Sequence, residues 1–190
     1  EARSWRRGPT PFALIAGLCG RTTQAVREAR TAAGLGYDAG LLSLGAWPRD
    51  DERAVLAHCR AVAREIPLVG FYLQPAVGGR VLSHAFWRRF AEIPEVVAIK
   101  VAPFHRYRTI DVVRAVLEAG RDDVALYTGN DDSILTDLLT TWPGGRRIAG
   151  GLLGQWGVWT QRAVEMLEEV KAARTGDTLA TGWLTKNAAL

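Results

Sequence analysis

One lysine, at the end of an apolar run, is the side chain in this sequence best suited to covalent chemistry. Lys100 follows the four apolar residues 96–99 and is one of only three lysines among the 24 Lys and Arg residues of the chain. An amine must lose its proton before it attacks a ketone, and apolar surroundings lower a lysine pKa because they disfavour the charged form. We therefore predict that Lys100 forms a Schiff base with a carbonyl substrate. The alternative is a strand-end lysine that extends to solvent.

Two further segments at the C-terminal ends of predicted strands carry groups suited to carbonyl chemistry. Tyr72, in segment 70–75, has a phenol that could pass a proton to the substrate oxygen, and a core tyrosine with a satisfied hydroxyl is the alternative. Gly129, in the turn 128–131, lets a substrate approach the backbone because it has no Cβ, or it simply makes the turn. We predict Lys100 and Tyr72 as the catalytic residues.

Charged and aromatic residues near these segments have two interpretations each. An arginine in the group His105, Arg106 and Arg108 could hold a substrate carboxylate, or all three are solvated loop charges. Trp156 and Trp159 either form the wall of an apolar pocket or pack the last helix against the sheet.

Short apolar runs alternate with longer amphipathic ones from Pro11 to about Arg174, and this alternation is typical of βα units on a parallel sheet. The predicted strands are Phe12–Leu18, Gly40–Leu44, Leu68–Tyr72, Val96–Val101, Val124–Thr128 and Ile148–Leu153. Cap residues such as Asp51 and Ser83 mark helix starts. The predicted helices are Gln24–Ala33, Glu52–Glu65, His84–Glu92, Ser133–Thr141 and Val158–Arg174.

The spacing of the strands predicts a barrel. They recur roughly every 28 residues, which is the step of a (β/α) barrel more than of a doubly wound sheet. The predicted fold class is α/β, a (β/α)8 TIM barrel. Six units are visible and eight close a barrel, so the first two βα units are missing from the given chain, or the fold is an open α/β sheet. We expect a partial barrel over residues 1–175 and a helical segment over residues 176–190.

Composition argues against several other classes of protein. The 190 residues are 48% hydrophobic, and 24 Lys plus Arg are interleaved with 20 Asp plus Glu, so we interpret the charges as a solvated surface without a nucleic-acid partner. Cys19 and Cys59 lack the spacing of a zinc or disulfide motif, and segments 17–20 and 150–154 match neither nucleotide-binding pattern. With no run of 18 apolar residues and no signal peptide, we expect a cytoplasmic protein with no membrane partner.

Four segments, in this order and spacing, resemble the dihydrodipicolinate synthase / N-acetylneuraminate lyase family of class I aldolases. Segment 16–20 resembles the third strand and its glycine turn, and Tyr-Leu-Gln-Pro at 72–75 resembles the tyrosine strand. Ala-Ile-Lys at 98–100 resembles the Schiff-base strand, and Thr-Gly-Asn-Asp at 128–131 resembles the family's Ser/Asn-Gly-x-Asp turn. The resemblance covers roughly Pro11 to Thr160.

The resemblance implies a fold, a chemistry and a set of binding residues. It implies a (β/α)8 barrel, commonly tetrameric, in which pyruvate or a related 2-oxo acid forms an imine with the lysine. No metal or organic cofactor takes part in that chemistry. It also implies that Gly17, Gly129 and Asn130 line the substrate site. A homo-oligomer with a small 2-oxo acid as its substrate is therefore expected.

Three departures from the family pattern narrow the expected substrate. The family's carboxylate-binding segment after the second strand has no counterpart here. The synthase branch has an arginine two residues after the proline, where this chain has Val77, and an acidic residue after the lysine, where this chain has Val101. These differences favour a sugar-acid or other 2-oxo-acid lyase over a synthase of lysine biosynthesis.

Three functions follow from these observations. The first is a class I aldolase, lyase or dehydratase with Lys100 as nucleophile. The second is a catalytically idle barrel relative that binds a small acid or acts as a scaffold. The third, nucleic-acid binding, requires an arginine stripe on one face of the protein.

Overall fold

The computed structural model describes residues 12–175, in which strands and helices alternate. The strands are β1 (Ile15–Leu18), β2 (Ala39–Leu42), β3 (Leu68–Leu73), β4 (Val96–Ala102), β5 (Ala125–Thr128) and β6 (Gly150–Gly151). The helices are α1 (Thr22–Gly34), α2 (Glu52–Ala63), α3 (His84–Ala91), α4 (Arg106–Glu118), α5 (Ile134–Leu139) and α6 (Thr160–Thr175). The helical segment expected at 176–190 lies outside the described residues.

The six strands form one sheet in chain order, and every pair of neighbours is parallel. A doubly wound sheet reverses its strand order at a switch point and carries helices on both faces. Here the order never reverses, and the main core lies between the helices and one face of the sheet. The architecture is therefore that of consecutive βα units of a barrel, as the sequence predicts.

The two faces of the sheet differ in what covers them. The outer face packs against the helices through a large core that includes Leu68, Ile99 and Val101. The inner face carries a small cluster of Ala39, Val69 and Ala98, with Leu41, Ala125 and Tyr127 packed against it. Because side chains alternate between the faces of a strand, a shift of one residue along the strand moves a side chain from the helix-covered face to the interior.

Most predicted elements are confirmed, with two notable differences. Asp51 caps α2 by accepting a hydrogen bond from the Arg53 amide, and Ser83 caps α3 by accepting one from the Phe86 amide. Helix α4 is absent from the predicted set because no Ser, Thr, Asp or Asn precedes it to mark its start; its N-cap residue is His105. Strand β6 has only two residues instead of the predicted six, and both are glycines, which pair weakly in strands.

Candidate functional site

Lys100 faces the interior of the sheet, and a β-bulge places it there. Val96 lies on the outer face, so in a regular strand residues 98 and 100 would also face the helices. The pairing of β3 with β4 shifts after Leu68, and Val97 is the extra residue. Ala98 and Lys100 consequently lie on the inner face.

The amine of Lys100 lies against an aromatic ring in a half-buried position. Phe71 is the β3 partner of Lys100, and the Nζ atom is 4.8 Å from the centroid of the Phe71 ring. Burial lowers the pKa of Lys100, and the nearby Asp131 carboxylate opposes that shift. The unprotonated amine is the form that attacks a carbonyl carbon, and a lowered pKa increases its fraction at a given pH.

Gly129 lies next to Lys100, and close packing at this position, not the geometry of the turn, explains why the residue is a glycine. A Cβ at Gly129 would be 2.9 Å from both the Cε atom of Lys100 and the Cβ atom of Ala102, closer than real contacts allow. The amide of Gly129 donates a hydrogen bond to the carbonyl of Val101, which fixes the turn beside β4. The backbone is not left-handed here, so the close approach explains the glycine.

Tyr72 does not lie beside Lys100, contrary to the predicted pairing. Its β4 partner is Val101, so its side chain is on the outer face, where the ring centroid is 5.0 Å from that of Trp87. Its hydroxyl donates to the Leu82 carbonyl and accepts from the Leu82 amide, and burial raises its pKa. The structure supports the alternative, a core tyrosine with a satisfied hydroxyl.

Asn130 is also on the outer side, within a buried polar network. Its Oδ1 accepts from the Phe104 amide, and its Nδ2 donates to Thr109 and, over 2.9 Å, to Asp137. Arg106 and Thr128 also donate to Asp137, at 2.6 and 2.7 Å. These bonds join the end of β5 and the turn after it to the loop before α4, to α4 and to α5, so Asn130 has a structural role rather than the predicted contact with substrate.

Gly17 faces the interior, at a distance from the lysine. It pairs with Leu41 of β2 and has no atom within 4 Å of the position of a Cβ. Three strand spacings separate β1 from β4, about 14 Å along the sheet at the usual spacing of 4.7–4.9 Å. The described residues do not bring Gly17 into contact with Lys100.

Tyr127 is the tyrosine that shares a face with Lys100, and it is not among the residues predicted from the sequence. It is the β5 partner of Lys100, and its ring lies over Gly150, where a Cβ would be 3.7 Å from its Cδ1 atom. In the described part of the chain the Tyr127 hydroxyl has no hydrogen-bond partner. Side chains alternate between the two faces of a strand, and Tyr127 is two residues after Ala125. This spacing could have predicted that both side chains lie on the same face.

Neither a metal-binding cluster nor a membrane-spanning helix is found in residues 12–175. Within that range no group of three or more His, Cys, Asp or Glu side chains is arranged to hold a metal ion. None of the helices in the same range has the length and apolar character needed to cross a bilayer.

Arginines do collect in one groove, on the outer surface between α2 and α3. Arg53, Arg60, Arg64 and Arg89 line this groove of about 510 Å³, together with Glu92. Its remaining lining residues are leucine and alanine, so it offers no aromatic ring for base stacking. It therefore lacks the stacking part of a single-strand binding surface.

Sequence relatives agree with the family that the four segments resemble. No family model matches the chain. The 4-hydroxy-tetrahydrodipicolinate synthase of Macrococcus caseolyticus is 31% identical over 124 residues, which are 64% of this chain and 40% of that protein. The synthase of that name from Synechocystis is 30% identical over 145 residues, which are 74% of this chain and 46% of that protein. The chain belongs to the dihydrodipicolinate synthase / N-acetylneuraminate lyase family. It spans less than half the length of these curated relatives.

Solved structures confirm the (β/α)8 barrel fold class of the dihydrodipicolinate synthase family for this chain. The chloride-inhibited synthase of Acinetobacter baumannii, complexed with pyruvate, matches with a TM-score of 0.73 at 23% identity, over 91% of this chain and 55% of that one. The synthase of Thermotoga maritima matches with a TM-score of 0.71 at 19% identity, over 86% and 54%. A monomeric synthase variant also matches with a TM-score of 0.73 at 20% identity, over 91% and 56%, and the expected homo-oligomer stays a prediction.

This chain departs from the pattern of the dihydrodipicolinate synthase family at Val77 and Val101, and the two side chains have different surroundings. Val77 lies in the 3₁₀ turn Pro75–Val77 and is 61% exposed, so its side chain makes little contact with the protein. Val101 is fully buried against the helices, so a residue at this position does not face the lysine.

Proposed function

We propose that this chain carries the Schiff-base lysine of a class I aldolase or lyase that acts on a 2-oxo acid. The single observation that carries the proposal is the placement of Lys100. Its amine is half-buried on the inner face near the C-terminal end of β4, above the Phe71 ring and beside Gly129. Active sites of parallel barrels lie at this end of the strands.

The proposed reaction begins with the unprotonated amine of Lys100. The amine attacks the ketone carbon to form a carbinolamine, and loss of water leaves an imine between the lysine nitrogen and that carbon. The imine, once protonated, accepts the electron pair of the neighbouring C–C bond when that bond breaks, and returns it when the bond forms. Pyruvate is the proposed ligand because the related Acinetobacter baumannii synthase is complexed with it.

Proton transfer in this reaction is assigned to Tyr127 in place of Tyr72. Carbinolamine formation and dehydration each require a proton to move to or from the substrate oxygen. The Tyr127 side chain is on the same face as Lys100 and in register with it, whereas the Tyr72 hydroxyl is occupied by the backbone of Leu82.

Borohydride trapping tests the proposal directly. The full chain is treated with pyruvate and borohydride, digested, and analysed by mass spectrometry for a reduced adduct. We expect the adduct on Lys100 and none on Lys171, an exposed lysine whose Nζ atom is 2.7 Å from the Glu168 carboxylate. Lys171 thus serves as a control within the same molecule. A chain that stays unmodified at Lys100 would overturn the proposal and leave the idle-scaffold hypothesis in its place.

A further inference from the structure

The groove between α2 and α3 carries positive charge that the protein leaves uncompensated. We call it the arginine groove, after Arg53, Arg60, Arg64 and Arg89 in its lining. All four residues are exposed. Within residues 12–175, none of these four guanidinium groups makes a hydrogen bond or an ion pair. The groove therefore offers four charged groups of hydrogen-bond donors that the fold itself does not use.

The carboxylate in the lining does not cancel this charge. Glu92 lies on the α3 side of the groove, and its Oε1 atom is 3.8 Å from the Nε atom of Arg88, which is outside the lining. The neighbouring Arg30 of α1 is fully paired, because its Nε and Nη2 atoms are each 2.9 Å from an oxygen of the Glu65 carboxylate. The arginine groove thus keeps a net positive charge while arginines beside it are neutralised.

The geometry of α2 arranges three of the arginines in a row. Arg53, Arg60 and Arg64 are seven and four residues apart, and both spacings return to the same face of an α-helix. At 1.5 Å per residue, the row extends about 16 Å along the helix axis. The lining between them includes Ala57 and Ala61, which are too small to fill the space. The result is an elongated cleft with cationic groups along its length.

This lining suits a short chain of phosphate groups. A guanidinium group donates two parallel hydrogen bonds to a phosphate, and both bonds are strengthened by charge. The volume of about 510 Å³ is within the range of small-molecule sites. A ligand with an anionic group at each link of a chain contacts several of the arginines at once, whereas a single anion cannot.

Two larger kinds of polyanion fit this groove less well. The lining contains no aromatic side chain, so the bases of a single-stranded nucleic acid have no ring on which to stack. A protein partner buries apolar or aromatic anchors near the centre of its interface. The apolar lining here consists of Leu56, which is only 6% exposed, and alanines.

We infer that the arginine groove binds a linear oligophosphate, a small molecule in which phosphate groups are joined in a chain. The groove is on the outer surface of the helices, and the amine of Lys100 is above the Phe71 ring on the inner face of the sheet. The inference is therefore independent of the proposed function and involves no covalent step.

Calorimetric titration of the full chain with sodium tripolyphosphate tests the inference. We expect one molecule to bind per chain, and to bind more weakly as the salt concentration rises, because mobile ions screen exposed charges. Inorganic phosphate contacts fewer arginines, and citrate carries carboxylates on a shorter frame. Each should bind roughly tenfold more weakly, the effect of losing one charge-assisted contact. Absence of tripolyphosphate binding, or equal or tighter binding of citrate, would overturn the assignment.

Substitutions on the two sides of the groove locate the bound ligand. Arg60→Gln and Arg89→Gln should each weaken tripolyphosphate binding roughly tenfold, and the double variant roughly a hundredfold. Arg147→Gln removes the same charge from an exposed position outside the groove and should bind with native affinity. Urea unfolding should give native midpoints for all of these exposed changes. Equal affinity in the native chain and the double variant contradicts the inference.

Lys100→Ala separates the groove from the proposed active site, whose own cation is Lys100. Tripolyphosphate binding that persists in Lys100→Ala and is lost in the double variant supports the groove, whatever borohydride trapping with pyruvate shows. Loss of binding in Lys100→Ala overturns the inference and leaves the trapping experiment as a separate test of the lysine. A short single-stranded oligonucleotide that binds the groove more tightly than tripolyphosphate also overturns it, in favour of a nucleic-acid surface.

Discussion

Lys100 and Tyr127 lie side by side on neighbouring parallel strands, and both side chains face the interior of the sheet. Phe71 completes the row on the other side of the lysine. The lysine therefore has two aromatic neighbours: Phe71, which shields the amine from water, and Tyr127, which carries a hydroxyl. This arrangement distinguishes Tyr127, which shares a face with the lysine, from the predicted Tyr72, which does not.

The two tyrosines should respond differently to loss of the hydroxyl. We expect Tyr127→Phe to lower kcat by roughly a hundredfold, the lower range for loss of a general acid or base, while its stability stays close to native. Tyr72→Phe should keep its kcat but lose about 1 kcal/mol of unfolding free energy, because the Leu82 amide and carbonyl lose their partner. Steady-state kinetics and urea unfolding of both variants measure this. A larger loss of kcat in Tyr72→Phe would refute the assignment.

Much of this architecture can be predicted from the sequence because its signals are local. Uncharged runs marked the strands, and Asp51 and Ser83 marked helix starts. The face that a side chain occupies is not a local property. The bulge at Val97 moves Lys100 to the interior, and strand pairing leaves Tyr72 outside. The four-residue motifs in the sequence do not show on which face of the sheet Lys100 or Tyr72 lies.

The polar network around Asn130 shows the same limitation. Its partners, Thr109 and Asp137, are distant in sequence and become neighbours only when α4 and α5 pack on the sheet. A Gly-Asn-Asp turn after a strand therefore predicts the position of the turn, but not which of its side chains points into the site. Here Gly129 contacts the lysine and Asn130 points away from it.

Substituting glycines tests which of them belongs to the site. Gly129→Ala places a Cβ 2.9 Å from the Lys100 Cε atom, so the lysine must move. We expect the rate of imine trapping to fall by roughly a hundredfold, since small misplacements of reacting groups have effects of that size. Gly17→Ala, with no atom within 4 Å of the added carbon, is the matched control and should react at the native rate. Similar rates in the two variants would show that Gly129 does not position the lysine.

The pH dependence of imine formation should report the surroundings of Lys100. Only the unprotonated amine attacks, so the rate rises with pH and levels off above the pKa of Lys100. Burial lowers that pKa, and the midpoint should therefore lie below the ordinary lysine value of 10.5. Asp131 raises it, so Asp131→Asn should move the midpoint to lower pH. Stopped-flow trapping with pyruvate gives both midpoints, and a shift to higher pH in Asp131→Asn would contradict the electrostatic assignment.

The buried Asp137 should contribute strongly to stability. Its carboxylate accepts from Arg106, Thr128 and Asn130, and it is completely buried. Asp137→Ala leaves these donors without an acceptor, and we expect a loss of about 3 kcal/mol in unfolding free energy. Asp132→Ala, an exposed change in the preceding turn, is the control and should be within about 0.5 kcal/mol of native. Urea denaturation measures both, and equal midpoints would show that the network is not stabilising.

His58 should make the protein sensitive to acid. Its ring packs 4.7 Å from that of Trp47, its Nδ1 atom is 3.1 Å from the Thr22 hydroxyl, and it is 2% exposed. Burial, and secondarily the Arg21 charge, lower its pKa from 6.5 to about 4. Between these values the unfolded chain binds a proton that the folded chain does not, so stability is complete above pH 6.5 and falls as the pH decreases towards 4.

The cost of that proton should reach roughly 3 kcal/mol near pH 4, at about 1.4 kcal/mol for each unit of pKa shift. His58→Phe keeps an aromatic ring beside Trp47 and cannot titrate, so its stability should depend less on pH over this window. Urea unfolding at a series of pH values compares the two proteins. If both lose stability in parallel between pH 6.5 and 4, the acid sensitivity arises from carboxylates and not from His58.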